Sequence, residues 1–173
     1  MQRPSLGGGY ITKKRLASWL SKPRPKPLNL RRVLLADDSP DVLESVSRML
    51  TPEFEIVGRV SDGLSLISEA RRLSPDVMVV DLFMPGLSGI EVARELKKRH
   101  NPGSIIFLSV YDDASFVEAA QAIGAKGYVL KSSADRDLVL AIREALQGRF
   151  YHSPSLKCQE QQEEEQPRRT IPK

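Results

Sequence analysis

The sequence predicts an α/β fold, a five-stranded parallel sheet with helices on both faces, over residues 30–151. Three observations predict it. Short unbroken apolar runs recur along the chain, stretches of helical period separate them, and capping or turn residues stand at the joins. Runs of this length without polar alternation read as strands buried on both sides. Strand and helix in strict alternation imply right-handed crossovers, and therefore a parallel sheet.

The first run is Val33-Leu34-Leu35-Ala36. Behind it Ser39 suits a helix N-cap and Pro40 the first helical position, and Val42, Leu43, Val46, Met49 and Leu50 share one face of the helix that follows. A weaker run spans residues 55–60, and a second helix with Ile67, Ala70 and Leu73 starts near Asp62. The third run is Val77-Met78-Val79-Val80, followed behind Ser88 by a helix carrying Val92, Ala93 and Leu96. Next come Ile105-Ile106-Phe107-Leu108 and a helix with Phe116, Val117, Ala120 and Ile123, ended by Gly124. The last pair is Tyr128-Val129-Leu130 and the stripe Leu138, Val139, Ile142, Ala145 and Leu146, ended by Gly148.

The flanks differ in character. Residues 1–29 read as a basic flexible tail: Gly7-Gly8-Gly9 breaks the chain, and Pro23, Pro25 and Pro27 extend it. Between them residues 11–20 would make a short basic helix, marginal by itself in water. Residues 152–173 read as a polar flexible tail in which 159–166 are all Gln or Glu.

The net charge of +4 hides this division. Residues 1–32 hold nine Lys or Arg and no acid, whereas residues 33–151 hold 13 basic and 18 acidic side chains. The globular part is acidic and the basicity belongs to the leader, whose charges would give mainly salt-sensitive, non-specific contact with nucleic acid. With 40% hydrophobic and 28% charged residues, the 173-residue chain has the composition of a soluble globular protein. No apolar run approaches the roughly 20 residues of a membrane span, and no secretory h-region follows the basic N-terminus. Cys158, the sole cysteine, excludes an internal disulfide and a cysteine metal cluster. A cytoplasmic location is expected.

Open parallel sheets bind ligands beyond the carboxyl ends of their strands. There the sequence puts Asp37 and Asp38 after the first run, Asp81 after the third, Ser109 after the fourth and Lys131 after the fifth. Carboxylates gathered at one rim repel each other, by about 4 kcal/mol per pair at 4 Å and an effective dielectric near 20. Either some of them protonate or a cation neutralises them, and hard oxygen ligands suit Mg²⁺. Carboxylates, a divalent cation, an ammonium and a hydroxyl together describe a phosphoryl-transfer site, where positioning and charge neutralisation dominate.

The same residues carry a family resemblance. Leu34-Leu35-Ala36-Asp37-Asp38-Ser39, the stretch from Val79-Val80-Asp81-Leu82-Phe83-Met84-Pro85 to Gly89, Leu108-Ser109, and Gly127-Tyr128-Val129-Leu130-Lys131 resemble the receiver domain of bacterial response regulators, in order and with family-like spacing. The segment from Lys131 through Ile142-Arg143 to Tyr151-His152-Ser153-Pro154 is similar to the NarL/FixJ type, whose receivers usually precede a helix-turn-helix; none is expected here.

The resemblance implies a flavodoxin-like three-layer sandwich with strand order 2-1-3-4-5. It implies that Asp81 is the phosphoacceptor for a sensor histidine kinase. Asp37 and Asp38 would hold Mg²⁺ together with Asp81 and the Phe83 backbone carbonyl. Ser109 would turn toward the phosphoryl group, Lys131 would pair with it, and Tyr128 would change rotamer as Ser109 moves. That switch would alter the surface of the fourth helix, fifth strand and fifth helix, where a downstream protein or a second copy docks. Ser132 departs from the wider family, many of whose members have a proline after the lysine, which argues against carrying a cis peptide over to this loop.

Plainer explanations exist for single residues: Asp37 and Asp38 as helix-capping acids, Tyr128 as core packing, Met84-Pro85-Gly86 as a turn. Three functional classes fit the set as a whole. They are a phosphorylatable switch, a receiver-shaped adaptor that is never phosphorylated, and an aspartyl-phosphate hydrolase. The intact five-residue set argues against the adaptor. Phe83 stands where related hydrolases place their acid, so the hydrolase lacks its proton donor. The switch is therefore expected to be no enzyme beyond its own phosphorylation and slow dephosphorylation. Phe83 and Tyr111 flank the water approach and offer no group to orient an attacking water.

Overall fold

The computed structural model describes residues 30–98 and 103–155. The expectations for the leader, including its short helix, and for the Gln/Glu run, His100 and Cys158 lie outside the described residues.

Each of the five strands and five helices predicted over residues 30–151 is present. In chain order they are β1 (Arg32–Ala36), α1 (Pro40–Leu50), β2 (Glu55–Val60), α2 (Gly63–Leu73), β3 (Val77–Asp81) and α3 (Gly89–Lys97). There follow β4 (Ser104–Ser109), α4 (Ala114–Ala122), β5 (Gly127–Leu130), a 3₁₀ turn (Lys131–Ser133), α5 (Ala134–Leu146) and β6 (Tyr151–His152). All strand pairs are parallel, in the order β2-β1-β3-β4-β5-β6. The expected order 2-1-3-4-5 is embedded in it. The sixth strand is a correction: the polar tail was expected to begin at His152, yet His152 pairs with Tyr128 and Ser153 is fully buried.

The strands lack polar alternation because each face of the sheet has its own core. Leu34, Met78, Val80, Phe107 and Tyr128 face α2, α3 and α4, meeting Leu66, Ala70, Val92, Leu96 and Ala120. Val33, Leu35, Val79, Ile106 and Val129 face α1 and α5, meeting Val46, Leu50, Leu138 and Ile142. Alternate residues therefore go to opposite layers, and the central strands are apolar on both faces. Burying a Leu or Ile side chain contributes about 1.5–3 kcal/mol, so Leu138→Ala in α5 would cost about 2–5 kcal/mol. β2 is the edge strand and half-exposed, which is why its run is weakest.

The caps follow the sequence closely. Ser39 caps α1 with Pro40 behind it, and Asp62 caps α2. Ser88 and Glu91 form a reciprocal capping box on α3. Gly124 and Gly148 follow α4 and α5 with φ of 77° and 78°, the left-handed region that glycine enters at no steric cost. Gly89 is needed for another reason: a Cβ on it would lie 2.4 Å from the Asp81 carbonyl oxygen. Only glycine lets the start of α3 pack against the end of β3. All peptide bonds among the described residues are trans, including those around Ser132.

Candidate functional site at the carboxyl edge of the sheet

Strand register brings the predicted residues to one rim. Ala36 pairs with Val80, Asp81 with Leu108, and Ser109 with Leu130. Asp37, Asp81, Ser109 and Lys131 are thus each the last residue of a strand or the first one beyond it. Oxygens of Asp37, Asp38 and Asp81 lie within 4.8 Å of one another. Asp37 and Asp81 are buried and Asp38 is exposed at the rim.

Lys131 enters this cluster from β5. Its Nζ is 2.7 Å from Asp37 Oδ2 and 3.4 Å from Asp81 Oδ1. Asp37 Oδ1 accepts the Ser39 N–H at 3.0 Å. Asp37 therefore braces the turn into α1, but Ser39 is the cap itself, and the second oxygen of Asp37 is left for the pocket. That oxygen is buried and accepts no well-directed hydrogen bond; the Lys131 contact is an ion pair without hydrogen-bond geometry.

Burial is the main cause that lifts the pKa of Asp81 above its usual 3.8; Lys131 pulls it down, and the nearby Asp37 adds to the rise. Three carboxylates facing one ammonium leave an excess of two negative charges when all are ionised. An oxygen-only donor set, two negative charges in excess and one poorly satisfied buried oxygen fit a small divalent cation. Asp37, Asp38 and Asp81 are the side chains that would hold it.

Ser109 and Tyr128 are fully buried and linked through the backbone of one residue, Tyr111. The Tyr111 N–H donates to Ser109 Oγ at 3.1 Å, and the Tyr128 hydroxyl donates to the Tyr111 carbonyl at 2.7 Å. Burial first of all raises the Tyr128 pKa, and Asp113, Asp112 and Asp81 add to the rise, while the Ser109 hydroxyl opposes it. Tyr128 is core packing in this conformation and a contact of the Ser109 segment as well.

Phe83 and Tyr111 stand beside the pocket, about half-exposed. With Phe116 they form an aromatic trio whose ring centroids are 5.0, 5.9 and 5.6 Å apart. The sequence pointed to Phe83 and Tyr111; it gave no sign of Phe116, whose place in the helical stripe of α4 read as core. Sequence reasoning also missed the buried Asp137, which accepts hydrogen bonds from Ser133 and Ser153. An acid on the apolar face of α5 was the available signal.

Comparison with known proteins agrees with this geometry. The family model of the response regulator receiver domain matches residues 33–143. The regulatory protein DegU of Brevibacillus brevis is 33% identical over 130 residues, covering 74% of this chain and 55% of DegU. The probable regulatory protein NarL of Mycobacterium tuberculosis is 32% identical over 139 residues, 79% of this chain and 63% of NarL. The chain thus spans less than two thirds of the length of either relative. Among solved structures, a LuxR-family response regulator from Aurantimonas superposes with a TM-score of 0.70 at 33% identity, covering 74% of this chain and 93% of that one. The isolated receiver domain of RcsB from Salmonella enterica, solved with the phosphomimetic BeF₃⁻, gives 0.68 at 29% identity, covering 74% and 96%.

Proposed function

This chain belongs to the response regulator receiver family, and from that premise we propose that it is a phosphorylatable switch whose acceptor is Asp81 and whose donor is a sensor histidine kinase. One observation carries the proposal: the Lys131 ammonium lies between Asp37 and Asp81 at the carboxyl edge of the sheet, with Asp38 beside them.

In the transfer an Asp81 oxygen attacks the phosphorus of the donor's phosphohistidine. The O–P bond forms as the N–P bond breaks, and the departing imidazole nitrogen keeps the bonding pair. Asp37, Asp38, Asp81 and the Phe83 carbonyl would hold Mg²⁺, which supplies neutralisation of the phosphoryl oxygens when bound. Lys131 exchanges its carboxylate contacts for the new phosphoryl oxygens, a charge-assisted pairing. Ser109 donates its hydroxyl to the same group. That movement draws on the Tyr111 backbone and so on Tyr128, which carries the change toward α4, β5 and α5. There a downstream protein or a second copy would dock.

The chain would catalyse only its own phosphorylation and the slow loss of the group, and would work in the cytoplasm. No helix among the described residues is long and apolar enough to cross a membrane.

Acetyl phosphate with Mg²⁺ tests the proposal by mass spectrometry. A gain of one phosphoryl group in the wild type and none in Asp81→Asn is expected. Absence of any gain in the wild type, or equal gain in both, defeats it.

A further inference from the structure

Asp137 is a buried carboxylate that the phosphoryl chemistry leaves unused. It sits in the first turn of α5, 8% exposed, among Ala134, Leu138 and Ala141. Burying an ionised carboxylate is costly unless hydrogen bonds satisfy it, and Asp137 makes no ion pair with a described residue. Hydroxyl groups satisfy it instead. Oδ2 accepts from Ser133 Oγ and from Ser153 Oγ, each at 2.6 Å, and the Tyr151 phenol is close enough to act on the same carboxylate. Such short contacts are those of charge-assisted hydrogen bonds.

The two hydroxyls come from the 3₁₀ turn behind β5 and from the residue after β6. Each serine has one hydroxyl hydrogen, and Asp137 takes both. The two serine oxygens, 3.1 Å apart, therefore do not bond to each other. Ser153 Oγ keeps its lone pairs free, and the Leu130 N–H donates to one of them at 3.1 Å. The β5–β6 ladder pairs only Gly127 and Tyr128. Where the ladder runs out, the Ser153 side chain supplies the acceptor that a strand carbonyl would have given.

We propose that Asp137 is a positioning residue for Lys131, acting through Ser153 and Ser133, a role that rests on the phosphoacceptor assignment above. Lys131 must hold its ammonium against carboxylates from two other strands. Its backbone is fixed on both sides by the same carboxylate: upstream through Leu130 and Ser153, downstream through Ser133 at the end of the 3₁₀ turn. The Ser153 N–H also donates to the Tyr128 carbonyl at 3.1 Å, holding the same segment to β5 two residues earlier; the side-chain clamp extends that hold to the Lys131 loop. Residues 151–153 are thereby part of the support of the acceptor site.

The test uses the full chain as wild type, Ser153→Ala and Asp137→Asn, each with and without Lys131→Ala. Amide exchange at Leu130 and Lys131, followed in metal-free protein, should quicken at least about tenfold in both variants. The maximal rate of phosphoryl uptake from acetyl phosphate should fall about tenfold, the usual effect of losing a supporting contact. The Mg²⁺ concentration for half-maximal uptake should not rise. With Lys131→Ala already present, either variant should change the residual rate by no more than about twofold, since both act through the lysine. Wild-type uptake in the variants, or an equal fractional loss with and without Lys131, overturns the proposal. If a variant loses its cooperative melt, Ser133→Ala replaces it, deleting one hydroxyl from Asp137; a wild-type rate there overturns the proposal too. Failure of the wild type itself to take up phosphate would defeat the acceptor assignment, while the exchange data would still report on the clamp.

Discussion

The Lys131 ammonium rests on Asp37: Nζ and Oδ2 are 2.7 Å apart, against 3.4 Å to the nearest oxygen of Asp81. In the unphosphorylated protein this cation and an incoming metal ion would therefore compete for the same carboxylate. Repulsion between a single and a double charge at about 5 Å amounts to several kcal/mol at a dielectric near 20, part of it relieved as the lysine swings away. Lys131→Met should tighten Mg²⁺ binding about three- to tenfold while lowering phosphoryl uptake. Calorimetric titration reads the first effect, and weaker binding in the variant would contradict the competition.

Asp81 should stabilise the fold when its charge is removed. Its pKa in the folded protein is raised, by burial first and then by Asp37, so the folded state holds the proton more tightly than the unfolded chain does. The stability tied to that proton is complete below the unfolded value of 3.8 and is lost as pH rises through the folded pKa. At neutral pH the ionised carboxylate opposes folding. Asp81→Asn should therefore melt a few degrees higher in chelator at pH 7, and the gain should shrink toward pH 4. An Asn variant that melts lower at pH 7 would show that the Lys131 contact outweighs burial.

The fold and most of the site were legible because both depend on what strands do in series. Once Val33–Ala36, Val77–Val80 and Ile105–Leu108 read as doubly buried strands, parallel register carried the residues behind them to one rim. Asp37, Asp81 and Lys131 meet there as that logic requires. β6 was not legible: two residues with a charged tail behind them give no periodicity, and Tyr151–His152 pair through backbone bonds that any sequence can make. The Asp137 clamp was hidden for a related reason. Ser133 and Ser153 are 20 residues apart, and only the crossover through α5 brings them together.

Phe83 should govern how long the phosphoryl group lasts. Its ring packs against that of Tyr111, tilted by 58° with centroids 5.0 Å apart, and contributes no polar group beside the pocket. Hydrolysis needs a water oriented for attack on phosphorus, and an amide at this place would orient one. Phe83→Asn should speed loss of the group by about tenfold, a typical share for a single positioned polar contact. Decay of radiolabelled or mass-tagged protein after donor removal reads it. Wild-type protein that loses the group within seconds unaided would refute the shielding role.

Tyr128→Phe separates packing from switching. The ring is fully buried and its hydroxyl serves the Tyr111 carbonyl. Removing the hydroxyl should cost about 1 kcal/mol in chemical denaturation and leave uptake on Asp81 close to wild type. The difference should lie in the response: amide shifts that phosphorylation induces along α4, β5 and α5 should shrink in the variant. Unchanged shifts would leave Tyr128 as packing alone.

Acid should undo the Asp137 clamp. Burial works to raise the pKa of Asp137, but the hydroxyls of Ser133 and Ser153, with further pulls from Tyr151 and the charge of Arg136, outweigh it and leave the group below its usual 3.8. Here the unfolded chain binds the proton more tightly. The stability gained is fully present above the unfolded value and is lost as pH falls through the folded one. Asp137→Asn cannot titrate, so the gap in stability between wild type and variant should be widest near pH 6 and should narrow below about pH 4. Taking the difference isolates this carboxylate, because Asp81 titrates alike in both proteins. Denaturation in chelator at a series of pH values measures the gap. At the alkaline end burial, followed by the neighbouring Asp137, pushes the Tyr151 phenol from its usual 10 up to about 12, so the stability tied to the phenol proton is present below about pH 10 and is lost as pH rises from there through about 12. A gap that stayed constant down to pH 3 would mean that the charge on Asp137 does not hold the serines together.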